Sequence, residues 1–348
     1  MKKNISFCKA SLGKEEIQAV SEIIKSGWLT MGNETIAFEK EFAEYVNVKH
    51  AIAVNSCTAA LFLSLKALKI GEGDEVIVPS FTFVSTVNVV IHSGATPVFA
   101  DIKKDDFTLD SKSVGRLLTK KTKAVIPVHY AGRVAFVGYD IPVVEDSAHL
   151  IPKGTATANL SAYSFYATKN MTAGEGGMIT TSDESIAEWL MKARLHGMTK
   201  DAWKRYGSKS KWRYDVEFAG YKFNTTDINS ALGRAQLKKL PLFQKRRDEI
   251  VNLYNSLLNL DNTGNHLYPI LVEKRDDFIF FMAENGVQCS VHFLPVHKMK
   301  AYVQCRADLP ITDFVGDRVV TLPLYPSLSD REVEYICDLV IKFKRKNE

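Results

Sequence analysis

The sequence predicts an α/β protein: a mostly parallel sheet covered by helices, followed by a smaller C-terminal α+β lobe. Three observations carry this. Short apolar runs alternate with helical patterns through most of the chain, the mark of strand–helix–strand units. Several of those runs stop in polar turns that open a helix, which puts the polar residues at strand carboxyl ends, where open α/β sheets bind ligands. From about Leu260 shorter strand-like runs and helices follow in a different style. The expected division is a large domain over 1–250 and a small one over 251–348.

The elements follow in order. Lys14 to Ser26 has Ile17, Val20, Ile23 and Ile24 on one helical face. Gly27-Trp28-Leu29-Thr30-Met31-Gly32 breaks that helix into a shaped loop, and Thr35 to Val46 forms another. Ala51 to Val54 is a strand. Asn55-Ser56-Cys57-Thr58 then leads into a helix from Ala59 to Leu68. A strand, a polar turn and a helix start suit a phosphate, because free backbone N–H groups and the positive helix end face the anion. An ordinary N-cap on a structural helix is the plainer reading of the same residues. Glu75 to Pro79 is the next strand, with Ser80-Phe81-Thr82-Phe83 before a helix from Val84 to Ser93. Further strands run Thr96 to Asp101 and Thr122 to His129.

The densest chemistry lies beyond them. Val143-Val144 reads as the end of a buried strand and stops in two carboxylates, Glu145 and Asp146. Alternation on a strand sends these two to opposite faces. Lys169 follows between Thr168 and Asn170, then Gly174-Glu175-Gly176-Gly177 and a strand from Met178 to Thr181. An acid at a strand end and a later lysine in a small polar setting can serve pyridoxal 5'-phosphate (PLP). Only an amine forms a Schiff base with the cofactor aldehyde, and a desolvated lysine is nucleophilic enough to do so. A carboxylate against the pyridine nitrogen keeps that nitrogen protonated, so the ring acts as an electron sink. Asp146 is the residue expected in that role. With this pair present, Ser56, Cys57 and Thr58 are read as the phosphate turn.

After a helix from Ile186 to Leu195, a polar and aromatic excursion runs to Phe218 with Trp203, Tyr206, Trp212 and Tyr214. Helices are expected over Asp227–Leu240, capped by Asp227, and over Leu242–Leu258 beyond Pro241. His266 to Ile270 and Val287 to Phe293 are strand-like, Arg275 to Asn285 helical, and Asp330 to Lys344 the last helix.

Bulk properties narrow the class. A net charge of +5, 46% hydrophobic and 24% charged residues are ordinary for a globular protein. The basic residues are spread out, so no nucleic-acid partner is expected. No apolar run approaches the roughly 20 residues of a membrane span, so no membrane partner is expected either. The N-terminus carries no secretion-signal pattern. Five cysteines without paired spacing fit reduced thiols in a cytoplasm. His292 and His297 lack partners at ligand spacing, so no metal is expected.

Glu145-Asp146-Ser147-Ala148-His149, Ser164-Phe165-Tyr166-Ala167-Thr168-Lys169-Asn170 and Gly174-Glu175-Gly176-Gly177, in that order, resemble the sugar aminotransferases of the DegT/StrS family, fold-type I enzymes that use PLP. The likeness extends over essentially the whole chain, including Val54 to Leu61, Gly73 to Phe83, Gly220 to Ile228 and Val291-His292-Phe293. It implies a fold-type I aminotransferase-like fold, with Lys169 as the Schiff-base lysine and Asp146 at the pyridinium. Phe83 would stack on the cofactor, with Phe81 as the alternative. Ser164 would bind the phosphate, and His149 would sit near the cofactor 3-hydroxyl. The loop carrying Thr30 would lie near the substrate entrance, and His292 on the substrate side. The resemblance further implies a homodimer with a shared active site, in which Lys222, with Asn224 beside it, reaches the partner subunit's cofactor phosphate.

The implied activity moves an amino group from glutamate to a nucleotide-linked keto-sugar. The pattern Lys222…Asn224 with His129-Tyr130-Ala131-Gly132 resembles the branch acting at a 4-keto group. A keto-deoxysugar 3-dehydratase on the same fold is the nearest alternative, but that branch carries histidine where Lys169 stands. A non-catalytic, cofactor-binding regulatory protein is the other. The chain departs from the family at Cys57, where glycine is common, and at Lys222 and Asn224, where asparagine and arginine are common. The stretches 130–142 and 150–161 are also short. The first is close to the dozen or so residues that a parallel crossover needs.

Overall fold

The computed structural model describes residues 4–154, 159–199, 214–305 and 307–347. The excursion aromatics Trp203, Tyr206 and Trp212, and part of the short stretch before Leu160, lie outside the described residues. Two helices open the chain, α1 (Lys14–Ser26) and α2 (Asn33–Val46). Strands and helices then alternate: β1 (His50–Val54), α3 (Cys57–Ala67), β2 (Glu75–Pro79), α4 (Val84–Ser93), β3 (Thr96–Ala100), α5 (Ser111–Leu117) and β4 (Thr122–Val125). β5 (Val144–Asp146), β6 (Leu160–Ser164), β7 (Gly177–Thr181) and α6 (Glu184–Ala193) complete the large sheet and its cover.

The sheet has two ladders, β1-β7-β6-β5 and β3-β2-β4. Parallel bridges Val125–Val143 and Val128–Asp146 join them through β4 and β5. All pairings are parallel except those of β7, which runs antiparallel to both β1 and β6. The mostly parallel sheet expected from the alternation is present. Period-two alternation sends Ile52, Val54 and Ile179 to one face, against α3 and α6. Ala51, Ala53 and Met178 face the other way, against Phe38 and Phe42 of α2. Both faces are therefore covered.

Two expected helices prove to be one. α7 (Asp227–Leu258) runs 32 residues straight through Pro241. A proline inside a helix costs roughly 3 kcal/mol. Packing against α1 and α2 on one side of Pro241, and against the C-terminal lobe on the other, offsets that cost. The cap is also different. Thr226 is the N-cap, accepting from the Asn229 N–H at 3.2 Å. Asp227 is buried in the first turn and caps a different helix. Its carboxylate accepts from the N–H groups of Gly32 at 2.7 Å, Thr35 at 3.0 Å and Glu34 at 3.2 Å, and from the Thr35 hydroxyl at 2.7 Å. No local pattern distinguishes a cap for the residue's own helix from one for a helix far away in the chain.

The C-terminal lobe has β8 (Tyr268–Leu271) paired antiparallel with β9 (Val319–Leu322), flanked by α8 (Arg275–Glu284), α9 (Pro310–Arg318) and α10 (Asp330–Asn347). Its core draws Ile250, Val251 and Tyr254 from the end of α7, and Ile5 from the N-terminus. The expected strand from Val287 to Phe293 is reduced to bridges of Val287 with Ile5 and Ser290 with Thr321. That segment leaves the sheet to reach the cavity described below. No helix among the described residues is long and apolar enough to cross a membrane.

The Asp227 junction gives a stability test. Asp227→Ala strands the N-terminal donors of α2 and should lower unfolding free energy by roughly 3 kcal/mol, the range for unsatisfied buried donors. A urea titration measures it, and an unchanged midpoint contradicts the assignment.

Candidate active site

The carboxyl ends of β2, β5 and β6, and the start of α3, surround a cavity of about 340 Å³. Small-ligand sites commonly measure some 300–1,000 Å³. Ser56, Cys57, Thr58, Phe83, Asp146, His149, Ser164, Lys169 and His292 all line it. The structure thus gathers most of the residues expected from sequence into one wall.

Asp146 ends β5 and is 4% exposed. Its carboxylate accepts from the Thr86 hydroxyl at 2.7 Å and the Ala148 N–H at 3.1 Å. Burial pushes its proton affinity up. Those two bonds and the nearby Lys169 charge pull it back in part. Glu145 faces the other way, as strand alternation requires. It pairs with His129 Nε2 at 3.1 Å and accepts from Ser161. His129 Nδ1 accepts the Ala135 N–H at 3.0 Å, so its proton sits on Nε2, toward Glu145. Two adjacent buried acids therefore serve two surroundings, and only Asp146 opens on the cavity.

Lys169 follows β6 in a turn closed by its N–H to the Tyr166 carbonyl at 3.0 Å. It is half-buried, and desolvation lowers its proton affinity while Asp146 works against that. A desolvated amine beside a buried carboxylate is the setting in which lysine becomes nucleophilic. Ser56 caps α3, accepting the Ala59 N–H at 3.1 Å, so the helix starts at Cys57, two residues earlier than expected. Cys57 and Thr58 are then its first two residues, whose N–H groups have no partner within the helix. Gly177 lets β7 pass this turn closely, since a Cβ there would meet the Ser56 carbonyl at 2.5 Å. Phe83 precedes α4 with its ring 59% exposed, whereas Phe81 is buried against Phe107 and Tyr130. Of the two phenylalanines, Phe83 is the one that lines the cavity.

The remaining expected residues lie elsewhere in the protomer. Lys222 is exposed, and its amine donates to Asn224 Oδ1 at 2.5 Å. Thr30 is exposed, and its carbonyl accepts the Asp227 N–H at 3.3 Å. None of the three lines the cavity. Sequence reasoning missed Thr86, Cys8, His266 and Phe293. Thr86 shares the first turn of α4 with Ser85, and nothing local tells which of the two hydroxyls reaches Asp146. Phe293 lies in the Val291-His292-Phe293 stretch already singled out, whereas Cys8 and His266 are brought in from distant segments with no local signal.

These residues fit PLP. A buried carboxylate, an amine of lowered proton affinity, an exposed ring and a helix start share one cavity. Each matches a different part of that molecule: pyridine nitrogen, aldehyde, ring face and phosphate. The raised proton affinity of Asp146 also has a measurable sign. A carboxylate whose proton affinity is higher folded than unfolded costs stability while charged. That cost fades as pH falls through its folded titration range. In cofactor-free protein, the melting temperature of the wild type relative to Asp146→Asn should therefore rise as pH is lowered from about 7. A difference independent of pH contradicts the assignment.

Comparison with known proteins follows the same line. Residues 10–341 match the DegT/DnrJ/EryC1/StrS aminotransferase family. The spore coat polysaccharide biosynthesis protein SpsC of Bacillus subtilis is 43% identical, over 94% of this chain and 94% of its own. PseC of Helicobacter pylori, an aminotransferase involved in pseudoaminic acid biosynthesis, superposes with a TM-score of 0.89 at 30% identity, covering 98% of this chain and 99% of its own. Spr1654 of Streptococcus pneumoniae, assigned as a sugar aminotransferase and solved in a PMP form, gives 0.89 at 33%, covering 97% and 98%. Family match, relatives and fold agree with the chemistry of the cavity: this chain belongs to the DegT/DnrJ/EryC1/StrS aminotransferase family.

Proposed function

We propose that the protein is a PLP-dependent aminotransferase that moves an amino group from glutamate to the keto group, at carbon 4, of a nucleotide-linked sugar. It would work as a cytoplasmic homodimer in polysaccharide biosynthesis. The observation that carries this is the buried Asp146 carboxylate and the desolvated Lys169 amine in one cavity. SpsC, a spore coat polysaccharide biosynthesis protein, and PseC, an aminotransferase of pseudoaminic acid biosynthesis, support the substrate class. When bound, the cofactor supplies an electron sink for the carbanion left when a proton leaves the amine-bearing carbon.

The chain's own residues do the rest. Asp146, held by Thr86 and Ala148, keeps a negative charge where the pyridine nitrogen would lie. Phe83 offers its open ring for stacking. Ser56, Cys57, Thr58 and Ser164 offer N–H and hydroxyl donors for the phosphate. Lys169 anchors the cofactor through its amine. Once free, that amine takes a proton from the donor carbon and returns one to the sugar carbon. His149 and His292, both neutral in this buried setting, can donate or accept hydrogen bonds without repelling Lys169. Lys222 and Asn224 fit a role across the dimer, because the exposed Lys222 and the half-buried Asn224 both lie outside their own cavity.

Glutamate should shift the absorbance band of the holoenzyme to that of the amine form, and Lys169→Ala should lack the starting band. A wild-type band indifferent to glutamate contradicts the donor assignment. The shared site has its own test. Lys169→Ala and Lys222→Ala chains, each inactive alone, should on equal mixing recover about one quarter of wild-type activity. Half of the dimers are then hybrids, each with one intact site. No recovery after verified exchange of subunits contradicts the cross-subunit role.

A further inference from the structure

Lys169 separates two spaces. One is the cavity already described. The other is a chamber of about 30 Å³, lined by Cys8, His149, Thr168, Lys169, His266 and His292 together with apolar side chains. Such a volume holds one water, and a buried water needs two or more polar partners. His266 offers one. It is 4% exposed, and its Nδ1 is buried with no hydrogen-bond partner among the described residues. An unpaired buried ring nitrogen is costly, so it points to a partner that the chain does not itself supply.

The backbone that carries the ring is fixed. The His266 N–H donates to the Ala131 carbonyl at 3.0 Å, and the Ala131 N–H donates to His149 Nδ1 at 3.3 Å. Ala131 thus bonds the ring of one histidine and the backbone of the other, and the two ring centroids are 4.5 Å apart. Ala131 has a left-handed φ of 59°. Gly264 leaves room for it, since a Cβ there would stand 2.3 Å from the Ala131 oxygen. This is a close-packed, purpose-shaped corner rather than a loose surface. Burial first, and then the Lys169 charge, push the proton affinities of His149 and His266 well below the ordinary histidine value, so both rings are neutral.

We propose that the chamber holds one water bridging His266 Nδ1 and the Lys169 amine, and that His266 is a positioning residue for that amine. The proposal rests on the reading of Lys169 as the cofactor-bearing lysine. The bridge gives the free, charged amine an acceptor on the side away from the cavity. Asp146 and Cys57 face Lys169 from the cavity side. Cys8 and His266 face it from the chamber side, His149 and His292 line both spaces, and Arg247 stands near Cys8 and His266. Of the groups facing it from the chamber, His266 is the one with an unpaired buried nitrogen. An acceptor favours the charged amine, so removing it lowers the amine's proton affinity.

The test follows the pH dependence of the absorbance band that forms when PLP is added to cofactor-free wild-type, His266→Phe and His266→Asn proteins. The midpoint should move to lower pH by about one unit in His266→Phe, the order expected for one hydrogen bond to a charged group. It should return close to the wild-type value in His266→Asn, whose amide stands near the Nδ1 position. An unmoved midpoint in His266→Phe, or an equal shift in both variants, overturns the proposal. If His266→Phe does not fold, histidine nitrogen NMR of cofactor-free wild type and Lys169→Met decides it. The His266 Nδ1 resonance should move when the amine is removed, and an unmoved resonance overturns the bridge. If the wild type forms no band with PLP, the reading of Lys169 fails, while the NMR comparison still judges the bridge.

Discussion

A buried carboxylate must be answered by hydrogen bonds or by charge, and much of the site can be read as the answer to Asp146. The carboxylate lies where β5 ends, beneath the start of α4 and opposite the turn after β6. Thr86 and Ala148 supply the bonds, and Lys169 supplies the charge. That arrangement depends on the strand order, because β2, β5 and β6 must all end on one side of the sheet. The adjacent Glu145 is settled separately by His129 and Ser161 on the other face. Without that separation, two neighbouring carboxylates would share one environment and repel.

The site is also a junction of distant segments. Cys8 comes from the N-terminus, with its thiol toward the Thr168 carbonyl at 3.7 Å. His266 and His292 come from the C-terminal lobe. Arg247 comes from α7, with a guanidinium NH donating to the Asn170 carbonyl at 3.0 Å, next to Lys169. These contacts enclose the lysine from behind and desolvate it. A lobe that contributes no strand to the large sheet thereby helps set the chemistry of the cavity.

Much of this was legible in the sequence, for identifiable reasons. The strand-and-helix alternation has a simple period, so the parallel sheet and the placement of polar turns at strand ends could be read directly. Asp146, Lys169 and the turn at Ser56 stand beside clear strand ends, and the structure brings them to one cavity. What could not be read depends on tertiary packing. Pro241 suggested a break, but packing on both sides of it carries α7 through. Asp227 looked like a cap for its own helix, yet its carboxylate serves α2. The segment from Val287 to Phe293 has strand composition, yet it leaves the sheet to bring His292 to the site. The unpaired nitrogen of His266 had no sequence signal, because its neighbours lie far along the chain.

The central claim is that Lys169 carries the cofactor, and the most direct measurement is chemical. Holoenzyme reduced with borohydride and digested should yield one peptide bearing the pyridoxyl group, with the modification on Lys169. A pyridoxyl group on another lysine, or none on a protein saturated with PLP, would contradict the account.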